Sequence, residues 1–368
     1  MVTLALGIGA DEFYGWGGVG PSVNLGVVNG PGHGVWTHSN INMAVTTLNA
    51  SGFGRGCLWL PFTKQADTLS ILINMEWSST AAFTPDASTL SLVLMGLYGD
   101  GNSAIVIAAN GVANTYDVFL ATDYTDWDTY TALGIAISPV NVWSYACLTI
   151  TGGGTPNGSI DFSWGPSTPQ YESVINAETS WTGDLTGFKN FSAISFHNPF
   201  TGTSPYLFGG VAVDTVSLKG GGVWTYIPNT IGTLNEWVNT GWTTAFAEFP
   251  TVAATYTNGL YGTAASQRVT FKAAGALSTA MPAGYGVLAV AVHAVTITPD
   301  SQTDATVVPI TYDPTDATVT QLGDPLPVPA RGSEIQVLRW YLENDKNTGT
   351  MWDIANIARY QFGLERVS

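Results

Sequence analysis

Apolar and polar residues alternate over residues 68–77, where Leu69, Ile71, Ile73 and Met75 share one side. A period of two over so short a run predicts a β-strand with one buried face. The same alternation recurs at 143–151 and at 159–164, the latter with Ile160, Phe162 and Trp164. Gly152-Gly153-Gly154-Thr155-Pro156-Asn157-Gly158 separates the two, and this density of turn-forming residues predicts a hairpin loop. Further strands are expected at 56–62, 90–97, 104–109, 117–122, 191–196 and 209–218, with tight turns such as Tyr98-Gly99-Asp100-Gly101-Asn102 between them. Many short strands at close spacing predict a sandwich or a barrel.

The pattern changes after Lys219-Gly220-Gly221-Gly222, the best candidate for a domain boundary. Residues 268–273 form a short alternating strand, and 285–298 a longer one that is apolar on both faces and so is expected at the centre of a sheet. Thr-Asp-Ala-Thr-Val occurs twice, at Thr303 and Thr315, too short a repeat for a solenoid and read as two strand-turn units. Residues 334–343 read as a strand and 344–349 as a turn. Trp352, Ile354, Ala355, Ile357 and Ala358 then recur at helical spacing over 351–360, with Gly363 as the stop signal. A helix this short holds only by packing. At the other end, residues 1–34 are too rich in glycine for a helix. They read as an extended arm that starts or edges the sandwich, and Phe13, Tyr14 and Trp16 are expected to pack on a neighbour or on a second subunit. The expected organisation is an arm (1–34), a β-sandwich (35–219) and a second β-sandwich with one short C-terminal helix (220–368): an all-β protein.

Composition narrows the function. The 368 residues carry a net charge of −16 with only 10% charged side chains, alongside 13 Trp, 15 Tyr and 15 Phe. An acidic surface repels nucleic-acid phosphates, which excludes a dedicated nucleic-acid binder. The chain has no apolar run long enough for a membrane span and no Lys or Arg before Arg55, so the basic start of a secretory signal is missing. Release by assembly in a cell followed by lysis fits that combination. Cys57 and Cys147 both lie in apolar strand-like runs. They read as two buried thiols, or as a disulfide if their Cα atoms come within ~7 Å.

Two resemblances rest on particular residues. The hairpin beginning at Trp143, with its Gly-rich turn, and the closing strand Gly-Gly-Val-Ala-Val-Asp-Thr-Val-Ser-Leu (209–218) resemble the laminin-G-like, concanavalin A-like jelly roll over roughly residues 35–220. The run Thr-Gly-Thr-Met-Trp-Asp-Ile-Ala-Asn-Ile-Ala-Arg-Tyr-Gln-Phe-Gly-Leu-Glu (348–365) resembles the C-terminal signature of a group of tailed-bacteriophage virion proteins, in which a concanavalin A-like domain precedes a second β-domain. Residues 285–298 and the strand before the boundary fit the same pattern. The chain departs from it at Asp214-Thr215, where the group usually carries Asp-Asp, and it lacks the Asn-Asn-Asp segment that often follows.

Four kinds of chemistry have candidate residues in the chain. Asp123, Asp126 and Asp128 offer hard oxygen ligands of the kind calcium takes, but without EF-hand spacing; a solvated acidic loop is the favoured reading of them. Trp127 and Trp181, in loop-like surroundings, are the candidates for stacking on sugar rings, whereas most Trp at strand positions belongs in the core. A glycanase of this fold needs paired carboxylates on one strand, and no Glu-x-Asp-x-x-Glu run occurs; Glu76, Glu172 and Glu178 stand alone. Nor is there a Gly-x-Ser-x-Gly elbow, and His33, His38, His197 and His293 lack evident partners for catalysis or zinc. The tail from Arg331 onward gathers Arg331, Arg339, Lys346, Arg359 and Arg366, five of the eleven basic residues. Arg359 and Arg366 are the candidates for docking an acidic partner, while the helix is expected to cap the second sandwich.

The resemblance and the residues together predict a non-enzymatic structural protein of a phage virion. It would be made in the host cytoplasm and assemble through its arm and C-terminal domain with copies of itself and other virion proteins. The alternative is a carbohydrate-binding adhesin for a host-surface glycan; an endoglycanase is disfavoured.

Overall fold

The computed structural model describes residues 4–8, 23–27, 36–38, 41–43, 46–50, 57–77, 93–109, 116–124, 126–137, 144–166, 177–197, 206–223, 228–239, 260–273, 286–296, 305–328 and 336–368. The chain divides into two compact units. One comprises residues 3–36 and 42–224, the other residues 225–368 with 1–2 and 37–41.

The first unit is built from two antiparallel sheets. The larger runs Ala177–Gly183, Gly158–Pro166, Ser144–Thr151, Thr68–Trp77, Tyr206–Asp214, Thr46–Ala50, Val23–Val27. Leu4–Ile8 joins it along Tyr206–Asp214, pairing Leu6 with Val213 and Ile8 with Val211. The smaller runs Tyr130–Ile137, Tyr116–Ala121, Ala104–Ala109, Val93–Tyr98, Asn190–His197, Cys57–Gln65. Strands distant in sequence lie side by side, as in Thr68–Trp77 between Ser144–Thr151 and Tyr206–Asp214. This is an antiparallel β-sandwich of the jelly-roll kind. Leu69, Ile71 and Ile73 point into the core as their alternation demands, where they meet Leu148, Ile150, Ile160 and Phe162 of the same sheet and Ile105, Ile107, Tyr116 and Val118 of the other.

The predicted hairpin is present over Ser144–Thr151 and Gly158–Pro166. Its loop needs glycine for a physical reason. A Cβ on Gly153 would collide with the carbonyl of Phe188. The loop is tied across the end of the sandwich by Gly153 N–H to Asp67 O (2.9 Å) and Gly154 N–H to Leu185 O (2.8 Å). Behind the larger sheet, the Leu218 N–H donates to Ser70 Oγ (3.0 Å), so Ser70 is buried on the face opposite the core. Cys147 Sγ lies 3.3 Å from the same oxygen. Cys147 is a free, buried thiol whose pKa is raised by burial. The Cys57 side chain lies outside the described residues.

The expected arm proves to supply strands. Leu4–Ile8 and Val23–Val27 both belong to the larger sheet of their own unit. The physical reason is the open edge of Tyr206–Asp214 and Thr46–Ala50, whose backbone groups need partners. Phe13, Tyr14 and Trp16 lie outside the described residues.

The second unit is also a sandwich. Its sheet runs Pro228–Asn235, Arg268–Ala273, Gln361–Arg366, Ala305–Asp313, Thr318–Gln321, with Leu326–Val328 also on Ala305–Asp313. Facing it is an antiparallel pair, Val290–Thr296 with Gln336–Leu342. Between them Trp340, Trp352, Leu338, Leu342, Ile357 and Tyr360 form the core. The helix spans Ile354–Arg359 and is capped by Asp353, whose Oδ1 accepts from Ala355 N–H (2.6 Å). Trp352, just before it, is buried, and its Nε1–H donates to Leu342 O (2.8 Å). The Thr-Asp-Ala-Thr-Val copies fall at the start of one strand and at the turn into its hairpin partner.

One expectation is corrected here, and another lies partly outside the described residues. Of 285–298, Val290–Thr296 pairs with Gln336–Leu342 on one side among the described residues. One face packs Val290, Val292 and Ala294 on the core, while Leu288 before the strand is exposed. Gly363 does not stop the helix, which ends at Arg359. It lies inside Gln361–Arg366, where a Cβ would overlap the Val269 backbone of the neighbouring strand.

Candidate functional site

The smaller sheet of the first unit has apolar side chains on both faces. Ile105, Ile107, Tyr116, Val118, Leu133 and Ile135 face the core. The intervening positions Tyr98, Ala104, Val106, Ala108, Phe119 and Ala193 make a second cluster on the outer face, against which Tyr124 and Tyr130 pack. The small residues form its floor and the aromatic rings its rim. Tyr124 and Tyr130 are half-buried, so part of each ring reaches solvent.

The rim is held in place by geometry. Tyr98 and Tyr124 meet edge to face, with centroids 4.9 Å apart and planes at 83°. Phe119 and Tyr130 lie 6.4 Å apart at 60°. Such arrangements match the quadrupoles of aromatic rings. The Tyr130 hydroxyl donates to Tyr124 O (3.0 Å), and Tyr124 N–H donates to Asn102 O (2.8 Å), which moors the 122–129 loop to the neighbouring turn. Burial, reinforced by the Asp123 carboxylate, pushes the Tyr130 phenol up to about 12. The ring therefore remains a neutral hydroxyl throughout the physiological range.

The acidic loop that suggested calcium runs beside this rim. Thr129 organises it: its hydroxyl is 2.7 Å from both Asp123 O and Asp126 O, and Asp123 N–H donates back to it (3.1 Å). Asp126 Oδ1 accepts from Asp128 N–H (3.1 Å) at the start of a one-turn 3₁₀ helix, Trp127–Thr129. Among the described residues no three His, Cys, Asp or Glu side chains converge as a metal site. The structure therefore puts Asp123, Asp126 and Asp128 on one loop without gathering them around a common point. Trp127 opens the 3₁₀ turn, and its side chain lies outside the described residues.

The other candidates sit elsewhere. Trp181 lies on the edge strand Ala177–Gly183, half-buried against the main core, with its ring over Gly183. Its surroundings are those of a core-edge residue rather than a loop. Asp100 in the tight turn accepts from the Lys189 and Asn190 N–H groups (2.9 and 3.1 Å) and from Asn190 Nδ2 (2.6 Å). Burial alone would raise its pKa, but these bonds outweigh it and hold the carboxyl below its usual value. Asp214, where the virion group carries Asp-Asp, is buried and accepts from Val216 N–H (3.1 Å).

In the second unit both candidate docking residues have partners within the unit. Arg359 pairs with Asp313 (2.9 Å) and stacks over the Tyr360 ring at 5.2 Å. Arg366 donates to Gly262 O (2.6 Å) and Ser368 O (2.7 Å).

The acidic loop is legible in the sequence; the aromatic cluster beside it is not. Tyr98, Phe119 and Tyr130 occupy ordinary strand positions. Only the outward alternation of Ala104, Val106 and Ala108 opposite Ile105 and Ile107 signals a second apolar face.

No family model matches the chain, and no curated protein matches it. Solved structures similar to it include the alginate lyase Aly36B (TM-score 0.34, 11% identity, 59% of this chain and 98% of that one). They also include the exoplasmic/lumenal domain of VIP36 in its Ca2+/Man3GlcNAc-bound form (TM-score 0.31, 11% identity, 48% of this chain and 81% of that one). Lectin II from Ulex europaeus is a third (TM-score 0.30, 9% identity, 47% of this chain and 88% of that one).

Proposed function

We propose that this protein is a non-enzymatic structural component of a tailed-bacteriophage particle whose lectin-like first unit holds a glycan of the host surface. The observation that carries the glycan reading is the outer aromatic rim of the smaller sheet. Tyr124 and Tyr130 present partly exposed rings fixed by Tyr98 and Phe119. A fixed aromatic ring gives an apolar surface that loses little conformational freedom on binding, and tyrosine adds a hydroxyl at its edge. The C–H faces of a sugar ring suit the first and its hydroxyls the second. Binding rather than catalysis fits the neighbouring carboxylates, since Asp126 Oδ1 is already engaged by the backbone of its own loop. The particle assignment is supported by the 348–365 run, which resembles virion proteins and here forms the capped helix and the central strand of the second sandwich.

The test is retention of the purified protein on immobilised host polysaccharide, with an assay for reducing sugar alongside. Native protein is expected to be retained and to release no sugar. Tyr124→Ala is expected to weaken retention at least several-fold while the far-UV spectrum and melting curve of the first unit persist. Retention that survives Tyr124→Ala unchanged would place the glycan elsewhere, and released sugar would make the protein an enzyme.

A further inference from the structure

Among the described residues, the charged side chains on the loop that carries the aromatic rim are carboxylates. Between Lys64 and Lys189 the chain contains no Lys or Arg, and this stretch supplies every strand of the smaller sheet except its last two, Asn190–His197 and Cys57–Gln65. Lys64 belongs to the edge strand opposite Tyr130–Ile137, with four strands between them. At the usual strand spacing that is roughly 20 Å or more from the strand of Tyr130, and about 10 Å from that of Tyr98. Lys189 is engaged in an ion pair with Asp67. On the near side, Asp123, Asp126 and Asp128 lie on the loop that carries Tyr124, with Asp126 and Asp128 exposed. The raised pKa of the Tyr130 phenol, set by burial and then by Asp123, reports the same negative field.

We infer that the site recognises an uncharged glycan and rejects polyanionic ones, an inference that rests on the glycan reading above. A uronate, sialate or sulfated chain repeats a negative charge along its length. Seated on Tyr124 and Tyr130, it would bring those charges to within a Debye length, about 10 Å at 0.1 M salt, of the aspartates. It would also shed water from its anions with no Lys or Arg on the strands and loop that carry the rim to replace it. A neutral glycan meets neither cost. Its ring faces cover the tyrosines, and its hydroxyls donate to the carboxylates, which are acceptors only. Discrimination therefore comes from a repulsive element as much as from an attractive one.

The experiment uses the full chain on three immobilised probes: a neutral mannan, a neutral β-glucan and a polyuronate, each at low and at high salt. Retention on at least one neutral probe, insensitive to salt, with none on polyuronate at low salt, is the expected result. A second variant sharpens it. Ala132 is exposed and lies directly across from Phe119 in the paired strand. Ala132→Lys places a cation beside the rim and is expected to raise low-salt retention on polyuronate several-fold. Native protein that holds polyuronate as well as the neutral probes would overturn this inference and leave the glycan reading intact. Retention on none of the three would overturn the glycan reading itself. Failure of Ala132→Lys to change polyuronate retention would show that charge does not set the preference.

Discussion

Thr68–Trp77 and Gln361–Arg366 both have neighbours on two sides, one at the heart of each sandwich, yet they bury different shares of polar side chain: Ser70 in the first, Gln361 and Glu365 in the second. The first turns Leu69, Ile71 and Ile73 into a wholly apolar core. The second sends Phe362 and Leu364 toward its core but also buries Gln361 and Glu365 on the opposite face. Those polar groups are matched in detail. Gln361 Oε1 accepts from Thr233 N–H (2.6 Å) and its Nε2 reaches Thr233 Oγ1 (3.0 Å). Glu365 accepts from Arg268 Nε (2.8 Å) and Gln321 Nε2 (3.2 Å). Nearby, Asp345 accepts from Asn347 N–H (2.9 Å) and the Tyr360 hydroxyl (3.0 Å), which joins the 345–349 turn to the end of the helix. A buried polar group costs stability unless it is bonded, so the second sandwich depends on direction where the first depends on area.

The largest expected effect comes from removing a ring from either core. Phe162→Ala in the first unit and Trp352→Ala in the second should each cost about 3–5 kcal/mol. Trp352 also leaves Leu342 O without its donor. In denaturant unfolding followed by probes in each unit, the loss should appear only in the unit that carries the change. A common shift of both transitions would show that the two sandwiches unfold as one, and the contrast between them would lose its meaning for stability.

A polar deletion separates the two more sharply. Asp345→Ala strands buried donors and should cost about 1–3 kcal/mol for each group left unpaired. Ser70→Ala, the counterpart in the first unit, strands the single buried N–H of Leu218 and should cost about 1–3 kcal/mol for that one group. Urea midpoints at constant slope measure both. Equal losses would mean that the buried polar groups of the second sandwich carry no special weight.

The same contrast explains what could be read from the chain. Alternation exposed the first sandwich because Leu69, Ile71, Ile73, Ile160 and Phe162 repeat with period two against polar neighbours. It could not expose Gln361–Arg366, since Gln-Phe-Gly-Leu-Glu-Arg has the polarity of a surface strand and follows a helix directly. Only partners from residues as far away as Thr233 and Arg268 make that run fit for burial. Gly363 misled for a related reason: glycine marks both a stop and a close approach of backbones, and the choice lies with Val269. Of residues 285–298, apolar on both faces in sequence, Val290, Val292 and Ala294 pack on the core of the second sandwich. At the candidate site the acidic loop was legible from three aspartates in six residues. The rim was not, because Tyr98 and Phe119 become neighbours of Tyr124 and Tyr130 only through the order of strands in the sheet.

The smallest expected effects concern Arg359 and Arg366, where structure and docking can be told apart. Both guanidinium groups are partly in water, and exposed ion pairs contribute little to stability. Arg359→Met removes the charge, keeps much of the apolar stem and should lower the melting temperature of the second unit only slightly. Arg359→Glu is a different change, because it sets a carboxylate against Asp313, whose side chain is 10% exposed. Its loss should exceed that of Arg359→Met and should shrink if Asp313→Asn is made with it. Arg366→Met releases Gly262 O and should loosen the 260–262 segment, with faster amide exchange there. On the particle role proposed above, if these arginines serve only their own sandwich, incorporation into particles should follow stability across the set. If they also meet an acidic neighbour, Arg359→Met and Arg366→Met together should reduce incorporation far more than their melting temperatures predict. Incorporation in step with stability would confine both residues to the role that Asp313 and Gly262 already give them.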